Sequence, residues 1–479
     1  MSTSNSVLPE AAADPLHLNR LRKSPMQRAL TVAVLEAVVV AGLSVVLEAW
    51  IVPLLQKRLG ASAMMIGSLT IAPMLAAGLV GPVVAPIIAF FGGNKRTGLL
   101  ACLIQIVCLG LLSVPLWFTE QHWAKPLALV LVITVLAVGT IAGPAWTAWM
   151  GGLIPRRIRG RYHTGRMRVW TLMRIIFAII FVVIMEHWKA GDSSIGLQIV
   201  ICIGVVSRIA SWWLLSMLPE DLPTKVRLNT GSTGKIALQE ARDFGTFLRS
   251  MHRTDLGKWT LVWAALHAGT MLAGPYFCYY WLLAANDGGL GLDLNPRLYT
   301  MLLYTSTVTR LLAFPICGRL VDRYGSAAIL RVAVAGICVI PLGHALSTDM
   351  PILFITEVFS GLFWCLAESS VGVLLFSCSN DPQHRARLIG YHQSVCCLVI
   401  VIAVWAGGHL IPILPELHGS RYRMLFLLSM FMRIPALLLA IRLLPALKNQ
   451  EEMRGLWRHV PGLASTITLS RGIVRAFKE

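Results

Sequence analysis

Apolar residues along this chain come in long blocks rather than alternating with polar ones. Twelve blocks, at roughly 29–53, 62–90, 97–118, 126–152, 167–187, 195–217, 258–285, 297–318, 327–347, 351–378, 388–412 and 424–446, contain few charges. A helix of about 20 apolar residues reaches across the roughly 30 Å hydrocarbon layer of a bilayer. The blocks therefore predict an all-α membrane protein with twelve transmembrane helices. Three polar stretches interrupt them: a tail over 1–28, a linker over 218–257 and a second tail over 447–479. The linker parts a six-helix bundle over 29–217 from another over 258–446. Within it, Asn229–Gly234 is a flexible stretch, and the charged run Ile236–Arg253 predicts a surface helix. The second tail mixes Arg454, Arg458, Arg471, Arg475 and Lys478 with Leu456, Trp457, Ile473, Val474 and Phe477. It reads either as a segment lying on the inner leaflet or as a disordered tail.

Composition agrees with the blocks. Of the 479 residues 56% are hydrophobic and 14% charged, whereas soluble domains hold about 45–50% and about 25%. The net charge of +19 raises the question of nucleic acid, and the placement of the charges answers it. Counted with their flanking span ends, the alternate segments beginning with the N-terminus carry 30 of the 42 Lys and Arg and 12 acidic residues. The opposite loops carry 7 basic and 7 acidic residues. Such asymmetry marks the cytoplasmic side, so both termini are expected in the cytoplasm, with no nucleic-acid partner. All ten Cys lie in or at the ends of apolar blocks without metal-ligand spacing, so no metal is expected. Residues 1–28 are polar and basic and the first block is long enough to anchor, which predicts no cleaved leader.

The two bundles repeat one another. Arg159-Gly-Arg161 and Arg385-Ala-Arg387 are offset by 226, Arg208-Ile and Arg433-Ile by 225, and Gly92 and Gly325 by 233. Three pairs at nearly one spacing indicate two six-helix halves in parallel repeat. After the eighth block, Gly318-Arg-Leu-Val-Asp322-Arg323-Tyr-Gly325 resembles the loop signature of the major facilitator superfamily. The first-half copy, Ala85 to Arg96, keeps Gly92, Lys95 and Arg96 but has Ala89 where the signature has an acid. Ile154–Arg161 is similar to that superfamily's basic loop after span four. The resemblance covers about 29–446 and implies a secondary transporter that works by alternating access. It implies that spans 1, 4, 7, 10 and 2, 5, 8, 11 line a central cavity, and that the loop with Asp322 acts as a cytoplasmic latch. A plain helix-capping role for Asp322 is the alternative. The Ala89 departure implies a weak first-half latch.

Ionisable groups inside apolar spans are costly and so mark function by default. Glu36, Arg174, His267, Arg310 and Glu368 lie seven to ten residues in from the inner ends of their spans, roughly 10–15 Å deep. Glu357 and Glu368 are eleven residues apart, about 20° round an ideal helix, so they share a face. Tyr299, Ser306 and Arg310 form one stripe, as a polar substrate wall requires. Glu48 sits about 120° round from Glu36, towards the outer rim, and reads as a group at the loop end. Arg208 and Arg433 fall on spans that the resemblance makes supporting ones, where structural pairing or snorkelling is expected. Glu36–Arg174 and Glu368–Arg310 are the expected ion pairs. Either they only tie helices, or an Arg binds a substrate anion while the displaced carboxylate carries a coupling proton.

Other signals are weaker. Tyr276, Phe277, Tyr279, Tyr280 and Trp281 predict an interfacial aromatic belt. Trp146 and Trp149 face either a ring in the cavity or lipid. Asn286-Asp287-Gly288 with Asp293 and Asn295 reads as a turn rather than a calcium loop. No P-loop, G-x-S-x-G or H-E-x-x-H occurs, so neither an enzyme nor a cofactor is expected.

The expectation is thus a monomeric transporter of a small organic solute, proton-coupled, in a plasma membrane, the bacterial inner membrane in the first instance. A transporter-like sensor without net flux is the alternative. The charge asymmetry makes one direct prediction. A green fluorescent protein fused after Glu479 fluoresces and an alkaline phosphatase fused there is inactive; the reverse pattern contradicts the topology.

Overall fold

In hydrocarbon every backbone N–H needs a partner within its own segment, which leaves helix as the outcome for each long apolar block. In the computed structural model, which describes residues 25–83, 87–88, 90–153, 159–188, 193–219, 233–284, 290–377 and 382–444, the described residues are almost entirely helical. The first half comprises α1 (Pro25–Val45), α2 (Ala63–Val80), α3 (Asn94–Leu111), α4 (Ala124–Leu153), α5 (Arg159–His187) and α6 (Ser193–Ser216). The linker forms α7 (Thr233–Ser250). The second half comprises α8 (Asp255–Met271), α9 (Gly274–Leu282), α10 (Pro296–Tyr324), α11 (Ser326–Leu346), α12 (Met350–Ser377), α13 (Pro382–Leu410) and α14 (Arg421–Leu443). Among the described residues, eleven helices are long and apolar enough to cross a membrane. The tails, Ala89 and Asn286–Gly288 lie outside the described residues.

Among the spans that depart from a regular helix, the first and the seventh do so at a proline. Past Val45 the first span continues through a wide turn over Val46–Trp50, a short turn Ile51–Pro53 and a second wide turn over Leu54–Arg58. Pro53 has no N–H for the carbonyl four residues back, and its ring crowds that carbonyl. Wide turns hold more residues per revolution, so every side chain beyond them is rotated from its ideal-helix position.

The seventh span, expected as one run over 258–285, breaks between α8 and α9 at Leu272–Ala273. Pro275 there lacks the N–H that would continue the ladder. Helix α13 passes directly against the break: a Cβ on Gly407 would lie 2.0 Å from the Leu272 carbonyl oxygen. The break turns the aromatic run inward, which corrects the expected belt. Tyr276 and Tyr280 are fully buried, the Tyr276 hydroxyl donates to the Val404 carbonyl at 2.8 Å, and Phe277 stacks on Phe426 at 4.1 Å.

The halves meet along α2 against α13 and α5 against α10. Near the loop that joins α1 to α2, Lys57 pairs with Asp293 and the Gln56 amide donates to the Tyr279 carbonyl at 3.0 Å. Asp293 is thereby an ion-pair partner, and Asn295 caps α10 by accepting from the Leu298 N–H. The linker helix is docked rather than free. Phe244 and Phe247 pack on Tyr391 of α13, and Glu240 takes both the Arg387 guanidinium at 2.9 Å and the Tyr391 hydroxyl at 2.9 Å.

Helices α11 and α14 cap each other. Arg331, near the start of α11, donates to the Ala440 and Leu444 carbonyls at the end of α14. Arg423, near the start of α14, donates to the Ala345 carbonyl at the end of α11 at 2.8 Å. Helix C-termini leave carbonyls without intrahelical partners, and a cation there also opposes the helix dipole. Replacing Arg423 by Leu is expected to cost about 1.5–3 kcal/mol, read as a lower melting temperature of the solubilised protein. An unchanged melting temperature would remove the capping role.

Candidate functional site

A charge held in hydrocarbon must be paired, and the burial of each pair separates two kinds. The first kind is sealed within one half. Glu36 accepts from Arg166 at 2.6 Å and from the Ser211 hydroxyl at 2.8 Å, and Arg208 donates to that hydroxyl at 3.2 Å. Arg166 also donates to the Ala33 carbonyl and lies 4.2 Å from the Trp146 ring centre. The Arg166 and Glu36 side chains are 9% and 5% exposed. The expected Glu36–Arg174 pair is therefore replaced by Glu36–Arg166, about two helix turns nearer the start of α5. Arg433 is likewise sealed, donating to the Ile337 carbonyl at 2.7 Å and to Ser429 at 3.1 Å, which makes it a tie and not a snorkelling group. Trp149 is buried and donates to the Pro219 carbonyl, facing neither a cavity nor lipid.

The second kind keeps a part-exposed carboxylate. Arg174 of α5 pairs with Glu48 in the first wide turn. The Tyr304 hydroxyl of α10 donates to Glu48 at 3.4 Å, so this pair touches the second half. Arg174 lies 4.5 Å from the Trp170 ring centre and 5.9 Å from that of Tyr304. Arg310 of α10 donates to Glu368 of α12 at 2.9 Å and lies 5.9 Å from the Trp364 ring centre. Arg310 is also within electrostatic range of Arg174. The Arg174 and Glu48 side chains are 11% and 40% exposed, those of Arg310 and Glu368 33% and 40%. The Nε–H of Arg174 and that of Arg310 are buried without a partner.

Beside the Arg310 pair, Trp263, His267 and Trp364 form an edge-to-face cluster, with ring centres 4.9 to 6.1 Å apart. His267 donates from Nδ1 to the Trp263 carbonyl at 2.9 Å, leaving Nε2 as acceptor. Helices α10 and α12 touch backbone to backbone here. A Cβ on Gly361 would lie 2.4 Å from the Ser306 carbonyl oxygen, which fixes Arg310 against Glu368.

Other predicted positions lie elsewhere. Ser306 is buried in the α10–α12 seam, and Tyr299 is fully buried with its ring 6.3 Å from Trp281. Of the stripe only Arg310 is part-exposed, its side chain 33% accessible. Glu357 and Glu368 are both within electrostatic range of Arg310 but have different nearest partners: Glu357, 12% exposed, lies 3.5 Å from His344 of α11. Helix α12 packs against both α10 and α11, and crossing helices present different neighbours to one face at different levels. His392 is buried against Thr260 at 2.9 Å.

In the loop signature, Gly92 and Gly325 both take φ of +83°, a conformation that favours glycine, so the two turns are built alike. Gly318 lies within α10, and Arg323 stacks near Tyr324 at 5.3 Å. Lys95 donates to the Leu218 carbonyl at 2.7 Å, and Arg96 packs beside Gly92. The side chain of Asp322 is outside the described residues.

Sequence reasoning missed Glu48, Arg166, Trp170, Tyr304, Trp263 and Trp364. A signal existed for two of them: Trp170 precedes Arg174, and Trp364 precedes Glu368, by one turn.

A twelve-span helical molecule in two halves, with half-open charges along the seam, has the architecture of a membrane transporter. The profile of the Major Facilitator Superfamily matches residues 32–403, and the chain belongs to that superfamily. No curated protein sequence matches it. Solved structures of similar fold include the D-xylose-proton symporter (13% identity, TM-score 0.64, covering 89% of this chain and 99% of that one). A mutant of the nucleoside transporter NupG shares 12% identity at a TM-score of 0.61, covering 87% of this chain and 100% of that one. Tetrameric PepTSo2 shares 14% at 0.60, covering 90% and 99%.

Burial predicts how the two kinds of pair answer to neutralisation. Glu36→Gln strands Arg166 in a sealed site and is expected to cost about 3–5 kcal/mol, whereas Glu368→Gln at a half-open site costs about 1 kcal/mol or less. Melting temperatures of the two solubilised variants check the order, and equal losses would remove the distinction.

Proposed function

We propose that the chain is a proton-coupled secondary transporter of a small organic solute, placed in a plasma membrane with both termini in the cytoplasm. One observation carries this reading: two Arg–carboxylate pairs within the spans, Arg174–Glu48 and Arg310–Glu368, keep part-exposed carboxylates. Each chain holds both pairs, so the monomer is the working unit.

The chemistry follows from competition for a cation. While Arg310 holds Glu368, the carboxylate stays ionised. A solute group that engages Arg310 frees Glu368, which then faces a low-dielectric space and takes a proton. Reversal at the other side releases both. Proton and solute thereby move together, and the two halves rock about a midplane site. The Lys57–Asp293 and Gln56–Tyr279 contacts join the halves at one end and must part when the space opens there. At the other end, the turn with Gly318, Asp322, Arg323 and Gly325 is the proposed gate, helped by Gly92, Lys95 and Arg96.

Proteoliposomes holding a pH-sensitive dye test this with solutes from a panel of carboxylates, amino acids and sugars. The wild type acidifies the lumen when an accepted solute enters. Glu368→Gln is expected to lose solute-driven proton entry while keeping exchange of labelled solute down no gradient. Unchanged proton entry would remove Glu368 as the carrier.

A further inference from the structure

One side chain of the second half is built into the first. Tyr304 of α10 is 6% exposed and packs in the apolar core that holds Val45, Val46 and Ala49 of the first span and Ala178 and Phe181 of α5. Every other buried member of that core lies at or before residue 201. The Tyr304 hydroxyl donates to Glu48 at 3.4 Å, and the Arg174 guanidinium acts on the same hydroxyl. Glu48 comes to this place because it lies in the wide turn Val46–Trp50, which rotates it from its ideal-helix direction.

The polar contacts between the halves nearer the loops are weaker ties. The Lys57 and Asp293 side chains are 42% and 56% exposed, and an ion pair so open contributes little. Gln56 holds a single carbonyl. A tyrosine ring buries about 150–250 Å², and this one must leave the first-half core before the halves part at that end.

The bond to Glu48 makes that departure depend on charge. A hydrogen bond to an ionised acceptor is about twice as strong as one to a neutral acceptor. Arg174 and Tyr304 are the ionisable groups described against Glu48, with Arg310 acting on Arg174. While Arg174 keeps Glu48 ionised, the hydroxyl is held. A proton on Glu48, or a solute cation that takes its oxygens, loosens it.

We propose, on the reading of the chain as an alternating-access transporter, that Tyr304 is a positioning residue of the transport cycle. Its bond to Glu48 holds the halves together at this end, and neutralisation of Glu48 releases them.

Spin labels on Arg58→Cys and Arg297→Cys, exposed positions in the first and second halves beside this contact, report the separation. They are carried by the full-length chain with its ten native cysteines replaced by serine or alanine, and distances are measured by double electron–electron resonance without added solute. Tyr304→Phe keeps the ring and removes the hydroxyl. It is expected to raise the ratio of long to short distances about fivefold or more over the parent, and Glu48→Gln to do likewise. Together the two changes are expected to do no more than the larger alone, because both remove one bond. An unchanged distribution in Tyr304→Phe, as packing alone would give, or additive effects in the double variant, overturns the proposal. If Tyr304→Phe shows no cooperative melting, Glu48→Gln decides alone, and an unchanged distribution there overturns it. Counterflow of labelled solutes into proteoliposomes keeps the two readings apart. Longer distances in the variants with no counterflow in the parent keep the tie and remove transport. Counterflow with unchanged distances keeps transport and removes the role of Tyr304.

Discussion

The intolerance of a low-dielectric interior for an unpartnered charge organises this molecule. Every described arginine discussed above as lying within a span has a partner, and the nature of that partner reveals what the arginine does. Arg433 is satisfied by a carbonyl and a serine, and Arg331 and Arg423 by helix ends. These groups fasten helices. Arg166 closes on Glu36 under a tryptophan and is equally shut away. Of these arginines, Arg174 and Arg310 hold part-exposed carboxylates. The same physical demand thus builds both the framework and the site, and exposure tells them apart.

The fold was legible because bilayer thickness leaves a coarse trace in sequence. Blocks of apolar residues report spans directly, and the glycine turns at Gly92 and Gly325 report the repeat. The Arg310–Glu368 pair was legible too, since both residues sit at similar depth on neighbouring spans. Three features were not, and each has a local cause. The wide turns around Pro53 rotate Glu48 away from the position an ideal helix assigns it, so a residue assigned to the rim stands beside Arg174. Pro275 breaks the seventh span and turns its aromatic residues inward, where their clustering at the end of the span had placed them at an interface. The Arg166–Glu36 pair depends on the relative height of α1 and α5, which no single-helix period contains.

The separation of Glu357 from Glu368 has the same origin. Twenty degrees of helical phase means a shared face only where one neighbour runs alongside for the whole length. Helix α12 meets α11 at Glu357 and α10 at Glu368, so one carboxylate enters the second half next to His344 and the other opens to the seam. Phase predicts direction from an axis. It does not predict what occupies that direction, and for charges in a membrane the occupant decides the role.

Reactivity of introduced cysteines towards a water-soluble thiol reagent tests the division between sealed and open charges most directly. In a chain whose ten cysteines are replaced by serine or alanine, Glu48→Cys and Glu368→Cys are expected to react readily and Glu36→Cys to resist. Equal reactivity at the three positions, or faster reaction at position 36, would contradict the account.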